Sequence, residues 1–226
     1  VAERIEAYEG IKSADGWVQS TTENICFWSA IGYHLARSVR KFTGAAVGIV
    51  GCWQGASIIQ SWIRKDIISR KEYFIPNEQM SFNEKHNEYK IYSAWNGFGM
   101  LHDRVFSKIA PYTFSNVIWY QGESNASIAE GKMYVKLLGA LISSWREELL
   151  DPELPFIVVQ ICDFDNRQDE GWKLVQKAQE EAENILPGVK TVISSDVCSH
   201  EDIHPANKID LSEKIYHAVI SETRNG

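Results

Sequence analysis

Val117-Ile118-Trp119-Tyr120-Gln121-Gly122-Glu123-Ser124-Asn125 sets an apolar run directly against five polar or small residues. The first half reads as a strand of the kind buried in a sheet, and a core strand has no packing reason to end in Gln-Gly-Glu-Ser-Asn. A solvated turn would use some of the same residue types. What gives the stretch weight is that polar clusters recur at equivalent places along the chain.

Strand and helix patterns alternate on both sides of it. Upstream, Ser20-Thr21-Thr22-Glu23 has capping-box form and predicts a helix over 23–40, with Phe27, Ile31, Leu35 and Val39 recurring every four residues. A strand follows over 45–50. After Gly51-Cys52-Trp53-Gln54-Gly55 a second helix is expected to bury Ile58, Ile59, Trp62, Ile63 and Ile67. Residues 70–112 read as a long excursion with turns, one at Asn96-Gly97, and a helix near 100–109. Downstream of the strand at 116–120, helices are expected near 129–149, 171–185 and 207–222, alternating with strands over 156–161 and 189–194.

Successive strand-to-helix units with nearly continuous apolar strands call for a mostly parallel sheet covered on both faces. Right-handed crossovers place the strand C-termini on one edge, where open sheets bind ligands. The loops after 50, 120, 161 and 194 should therefore share a rim. Three of them are rich in polar groups: Trp53-Gln54-Gly55, Gln121 to Asn125, and His200-Glu201-Asp202-Ile203-His204-Pro205.

Composition narrows the ligand. With 23 basic against 30 acidic side chains the chain carries a formal charge of −7, so no basic footprint for nucleic acid or an anionic membrane is visible. No apolar run approaches the roughly 20 residues that span a bilayer, and Val1 to Glu6 does not read as a signal peptide, so a soluble chain is expected. Residues 1–226 read as one domain, with no Pro/Gly/Ser-rich linker. Cys26, Cys52, Cys162 and Cys198 lack zinc-type spacing and read as small core residues. Most of the eight Trp belong in the core, with Trp53, Trp95 and Trp119 available near the rim.

His204, just after two carboxylates and before a proline, is the candidate general base. Ser124 is its candidate nucleophile: Gly122-Glu123-Ser124-Asn125-Ala126 approaches a Gly-x-Ser-x-Gly elbow, except that Ala126 replaces the second glycine.

Trp119 to Asn125, together with Asp202-Ile203-His204-Pro205-Ala206-Asn207-Lys208 and Trp53-Gln54-Gly55-Ala56 with Trp62, resembles the sialate O-acetylesterase family, a branch of the SGNH hydrolases also similar to certain acetylxylan esterases. The resemblance runs from about Trp17 to Val219. It implies a flavodoxin-like three-layer α/β/α domain that hydrolyses acetyl esters on sugars without metal or organic cofactor, in a secreted or periplasmic protein. It implies His204 as catalytic histidine, Asp202 or alternatively Glu201 as the acid orienting it, Gln121 as side-chain oxyanion donor and Gly55 as backbone donor. Glu123, Trp53 and Asn96 are the expected sugar contacts. The family's nucleophilic serine lies in a Gly-Gln-Ser-Asn type motif after the first strand, and this sequence contains none. Ser124 is then a loop residue, and the serine is expected on a segment or chain outside residues 1–226. Acetylated xylan, or sugar binding without catalysis, are the alternative functions.

Overall fold

The computed structural model describes residues 17–81, 94–167 and 169–222, and the backbone of 2–6 and 10–12. Its ladders form two groups. In the first, β1 (Ala2–Glu6) pairs antiparallel with β2 (Gly10–Lys12) and parallel with β3 (Gly51–Trp53). In the second, β4 (Val117–Trp119), β5 (Phe156–Val159) and β6 (Val189–Val192) run parallel in that order.

Strand β5 shows why the sheet is covered on both faces. All four of its side chains are buried, and they alternate. Phe156 and Val158 enter a core with α4 (Ile128–Glu148) and α5 (Glu170–Ile185). Ile157 and Val159 enter a second core with α1 (Ala30–Thr43) and α6 (Ile209–Glu222). Helices α4 and α5 pack on one another, as do α1 and α6, which gives the three-layer α/β/α arrangement.

The downstream half matches the predicted pattern to within a residue or two at most boundaries, because each helix has a clear start. Ser127 caps α4, accepting from Glu130 N–H while its hydroxyl donates to Glu130 Oε2 at 2.9 Å. Asp169 caps α5 by accepting from Trp172 N–H. Close approach at Gly171 seats α5 on the turn before α4, where an added Cβ would lie 2.0 Å from the Ala126 carbonyl oxygen.

The upstream half departs from expectation in three places. Ser29, not Ser20, caps α1, accepting from Gly32 N–H, while Thr21 to Asn24 closes a turn through the Asn24 side chain. The strand expected at 45–50 forms instead at 51–53, and β1 and β2, too rich in charge to read as buried strands, carried no such signal. The helix expected beyond Gly55 is a 3-10 turn at Ile59–Ser61 followed by the short α2 (Lys65–Ile68). Its intended apolar face is nonetheless buried: Ile58, Ile59, Trp62, Ile63 and Ile67 all lie in the core. Burial, not helical period, explains that run of apolar residues.

The described part of the excursion is mostly turns, with α3 (Met100–Arg104) and a 3-10 turn at Phe106–Lys108 where one helix was expected; 82–93 lie outside the described residues. Trp62, Trp119 and Trp145 pack edge-to-face, and Phe106 stacks on Trp145 at 4.0 Å. Trp95 and Trp119 are therefore core residues and not rim aromatics. Cys26 is exposed, against the expectation of a core residue, while Cys162 and Cys198 are buried.

Candidate active site

The loop after β3 is held by the side chains of three amides. Its turn is strained at Ala56, whose φ of 53° lies in the left-handed region that favours glycine. Asn96, buried, accepts from Ile58 N–H at 3.0 Å and donates to the Ala56 carbonyl at 2.8 Å. Gln121 donates to the Ser57 carbonyl at 2.8 Å, and Asn125 Oδ1 accepts from Ile59 N–H at 2.9 Å. Four successive residues, 56 to 59, are thus fixed by groups from the excursion and from the end of β4. Gly55 sits just before them, exposed and with open space where a Cβ would stand.

The loop after β4 is braced from behind. Gln121 gives its second amide hydrogen to Asn125 Oδ1 at 2.9 Å, and the Tyr134 hydroxyl lies 2.7 Å from Gln121 O and 2.9 Å from its Oε1. Burial pushes the Tyr134 phenol well above the usual range, so it stays neutral and available as a donor. Asn125, fully buried, donates to Gln60 Oε1 at 2.8 Å and Glu130 Oε1 at 2.9 Å. Glu130, also fully buried, accepts in addition from Ser127 Oγ and Ser81 N–H. Gln179 of α5 stitches the ends of two strands, donating to Gln121 O at 2.8 Å and accepting from Ile161 N–H at 2.9 Å.

The loop after β6 presents His204 outward between two inward anchors. Ile203 packs against the core and Pro205 is buried, while His204 is exposed. Asp202, also exposed, spends a carboxylate oxygen on the His204 backbone N–H at 2.8 Å. Glu201 is exposed; among the described residues no hydrogen bond joins its carboxylate, or that of Asp202, to the imidazole. The carboxylate that interacts with His204 electrostatically is Glu123. Its half-buried side chain is hemmed in by protein, and that burial raises its carboxyl above the usual range, while its own and Gly122's backbone N–H groups and the His204 charge oppose the rise.

The remaining predicted site residues fall less centrally. Trp53 is half-buried, and its indole folds back over Gly51, where an added Cβ would meet it at 1.8 Å. Asn96 turns its amide inward on the 56–58 backbone. Ser124 is half-buried in a 3-10 turn (Glu123–Asn125), and among the described residues no hydrogen bond joins its hydroxyl to His204. Among the described residues no group of three His, Cys, Asp or Glu could hold a metal ion, and no helix is long and apolar enough to cross a membrane.

The raised carboxyl of Glu123 has a measurable consequence. Between the unfolded value of about 4.3 and its own higher value, the folded state keeps a proton that the unfolded chain has lost. Stability therefore falls as pH rises through that window. Glu123→Gln is expected to raise the melting temperature at neutral pH and to leave it unchanged well below the window. Melting curves across pH that differ from wild type by a constant would contradict this.

Residues 18–220 match the model of the family described as carbohydrate esterase, sialic acid-specific acetylesterase. The sialate O-acetylesterases of Homo sapiens and Pongo abelii are 23% and 22% identical, each over 88% of this chain and 41% of its own length. The chain thus spans about two fifths of these curated relatives. A crystal structure of a carbohydrate acetylesterase from Xanthomonas citri superposes with a TM-score of 0.81 at 24% identity, covering 100% of this chain and 49% of that one. An Arabidopsis thaliana protein gives a TM-score of 0.58 at 21% identity over 84% of this chain and 67% of that one. The two structures support the α/β fold described above. With the family model matched across most of its length, the chain belongs to the sialic acid-specific acetylesterase family of carbohydrate esterases.

Proposed function

We propose that this chain supplies the general base and the oxyanion frame of a carbohydrate O-acetylesterase acting on O-acetylated sialic acid, with the attacking serine outside residues 1–226. The observation that carries the reading is the convergence of the 55–59 and 121–125 loops on one another through Gln121 and Asn125, with His204 near Glu123. A serine delivered to this rim would attack the acetyl carbonyl while His204 takes its proton. Gly55 N–H and the Gln121 amide would receive the oxyanion. His204 would then protonate the leaving sugar hydroxyl, and water would release acetate.

Both Gln121 amide hydrogens are engaged, so donation to an oxyanion requires one to be turned. The hydrogen given to Asn125 Oδ1 is the one to move, because that oxygen keeps Ile59 N–H as a second donor and is not orphaned. Gln121→Ala is expected to lower kcat about 10²–10³-fold with KM little changed. A loss below about tenfold would mark Gln121 as a brace only. Glu123 takes the role of charge partner to His204, while Asp202 fixes the backbone that carries the imidazole.

Substrate class is tested by acetate release from O-acetylated sialic acid and from acetylxylan under matched conditions. Faster release from the sialic acid is expected. Preference for acetylxylan would move the activity to hemicellulose, and no release from either would leave a sugar-binding domain.

A further inference from the structure

The Gln121 side chain has two orientations related by a half turn of its amide, and only one of them offers hydrogens to the 55–59 loop. The choice is made from both sides. On one side the fully buried Glu130 carboxylate can only accept, so Asn125 turns Nδ2 toward it and Oδ1 toward Ile59 N–H and Gln121 Nε2. The Ser57 carbonyl is a second acceptor there, 2.8 Å from Gln121 Nε2. On the other side stands the hydroxyl of Tyr134, fully buried on α4. Its single hydrogen has two acceptors within reach, Gln121 O at 2.7 Å and Gln121 Oε1 at 2.9 Å. The peptide oxygen already accepts from Gln179 Nε2 at 2.8 Å, whereas among the described residues no other donor reaches Oε1. The Trp119 indole N–H approaches the phenol oxygen at 3.4 Å, so that oxygen accepts from β4 and its hydrogen goes to Gln121.

We propose that Tyr134 is a positioning residue for the Gln121 amide: by holding Oε1 it keeps the NH2 group toward the 55–59 loop while one hydrogen is turned to the oxyanion. The inference deepens the esterase reading above and rests on it. Releasing the hydrogen bound to Asn125 Oδ1 removes one of the amide's anchors on that side. The hydrogen bond from Tyr134 is the anchor that stays, and without it Oε1 has no donor and the amide no fixed direction. Tyr134 touches neither ester nor proton in flight, so its effect on turnover passes through Gln121.

The experiment is a double-mutant cycle on an aryl acetate in the intact protein. Tyr134→Phe is expected to lower kcat about tenfold with KM little changed, and to cost less than about twofold more when Gln121 is already alanine. The same loss in both backgrounds, a rise in KM in place of the fall in kcat, or wild-type turnover would overturn the proposal. A second measurement reads the amide itself, by nuclear magnetic resonance with nitrogen-labelled glutamine. In the unmutated protein the Gln121 NH2 hydrogens should show Overhauser contacts to the Ile59 N–H, and in Tyr134→Phe their exchange with water should quicken. Contacts to the Tyr134 ring and none to Ile59 would mark an amide turned the other way, and would overturn the proposal even if the variant does not fold. Gln121→Ala near wild type would instead overturn the oxyanion reading and with it the catalytic weight of Tyr134, while the spectrum still decides whether Tyr134 sets the amide.

Discussion

His204→Ala is expected, under the proposed mechanism, to lower kcat/KM for an aryl acetate by about 10⁴-fold or more, with little change in stability. Activity should fall that far because the His204 charge acts on Glu123, whereas His200 approaches the Ser195 carbonyl and His102 is buried between Asp103 and Glu148. Stability should hold because His204 is exposed and its loop is anchored by its neighbours. Ile203 packs inward, Pro205 is buried, and the Asp202 bond goes to the His204 backbone, which alanine retains. His200→Ala serves as the control on the same loop and should stay within a few-fold of wild type. Matched far-UV spectra and melting curves beside the kinetics check both parts. A His204→Ala protein that keeps near-wild-type turnover would remove His204 from the proposed mechanism.

The largest effect on stability is expected at Asn125. Its side chain is fully buried and makes four hydrogen bonds, accepting from Ile59 N–H and Gln121 and donating to Gln60 and Glu130. Asn125→Leu keeps the number and branching of side-chain heavy atoms and removes every one of these bonds. It leaves the Ile59 N–H without its acceptor and takes one donor from the fully buried Glu130 carboxylate, which makes the change far worse than loss of a single neutral bond. A cost of about 3–5 kcal/mol follows, read as a fall of roughly 10 °C in melting temperature for a chain of this size. Asn125→Asp separates polarity from packing, since it keeps an acceptor for Ile59 but sets a carboxylate beside Glu130. It should be nearly as damaging at neutral pH and less so in acid. An Asn125→Leu protein that melts with wild type would show that the network is not what holds the 55–59 loop.

The parts of this arrangement legible in the sequence are those that rest on periodicity. The strands β4 to β6 and helices α4 to α6 announce themselves through apolar runs and through period-four faces such as Tyr134, Leu138, Leu141 and Trp145, all of which are buried. The rim followed from chain direction alone. Around Gly55 periodicity misled, because Ile58, Ile59, Trp62, Ile63 and Ile67 are apolar for tertiary reasons while their backbone is occupied with turns. The excursion hid Asn96 behind a turn signal, although its amide braces the very loop that carries Gly55.

What was missed is the bracing itself. Asn125, Glu130 and Gln179 are buried polar groups whose partners lie far away in sequence, so no local pattern identifies them. One signal was present: Gln179 falls four positions after Val175 and three before Ala182, on the inward row of α5, where a polar residue requires partners. The role of Asp202 was likewise invisible, since spacing alone does not distinguish a carboxylate aimed at an imidazole from one aimed at the backbone N–H two residues on.

In the proposed mechanism this chain provides His204 and the oxyanion frame to a serine outside residues 1–226. Labelling the intact protein with a fluorophosphonate, with and without His204→Ala, and mapping the modified residue tests it most directly. A labelled serine outside residues 1–226 is expected, with labelling largely lost in the His204→Ala protein. A label on Ser124, or labelling indifferent to His204, would contradict it.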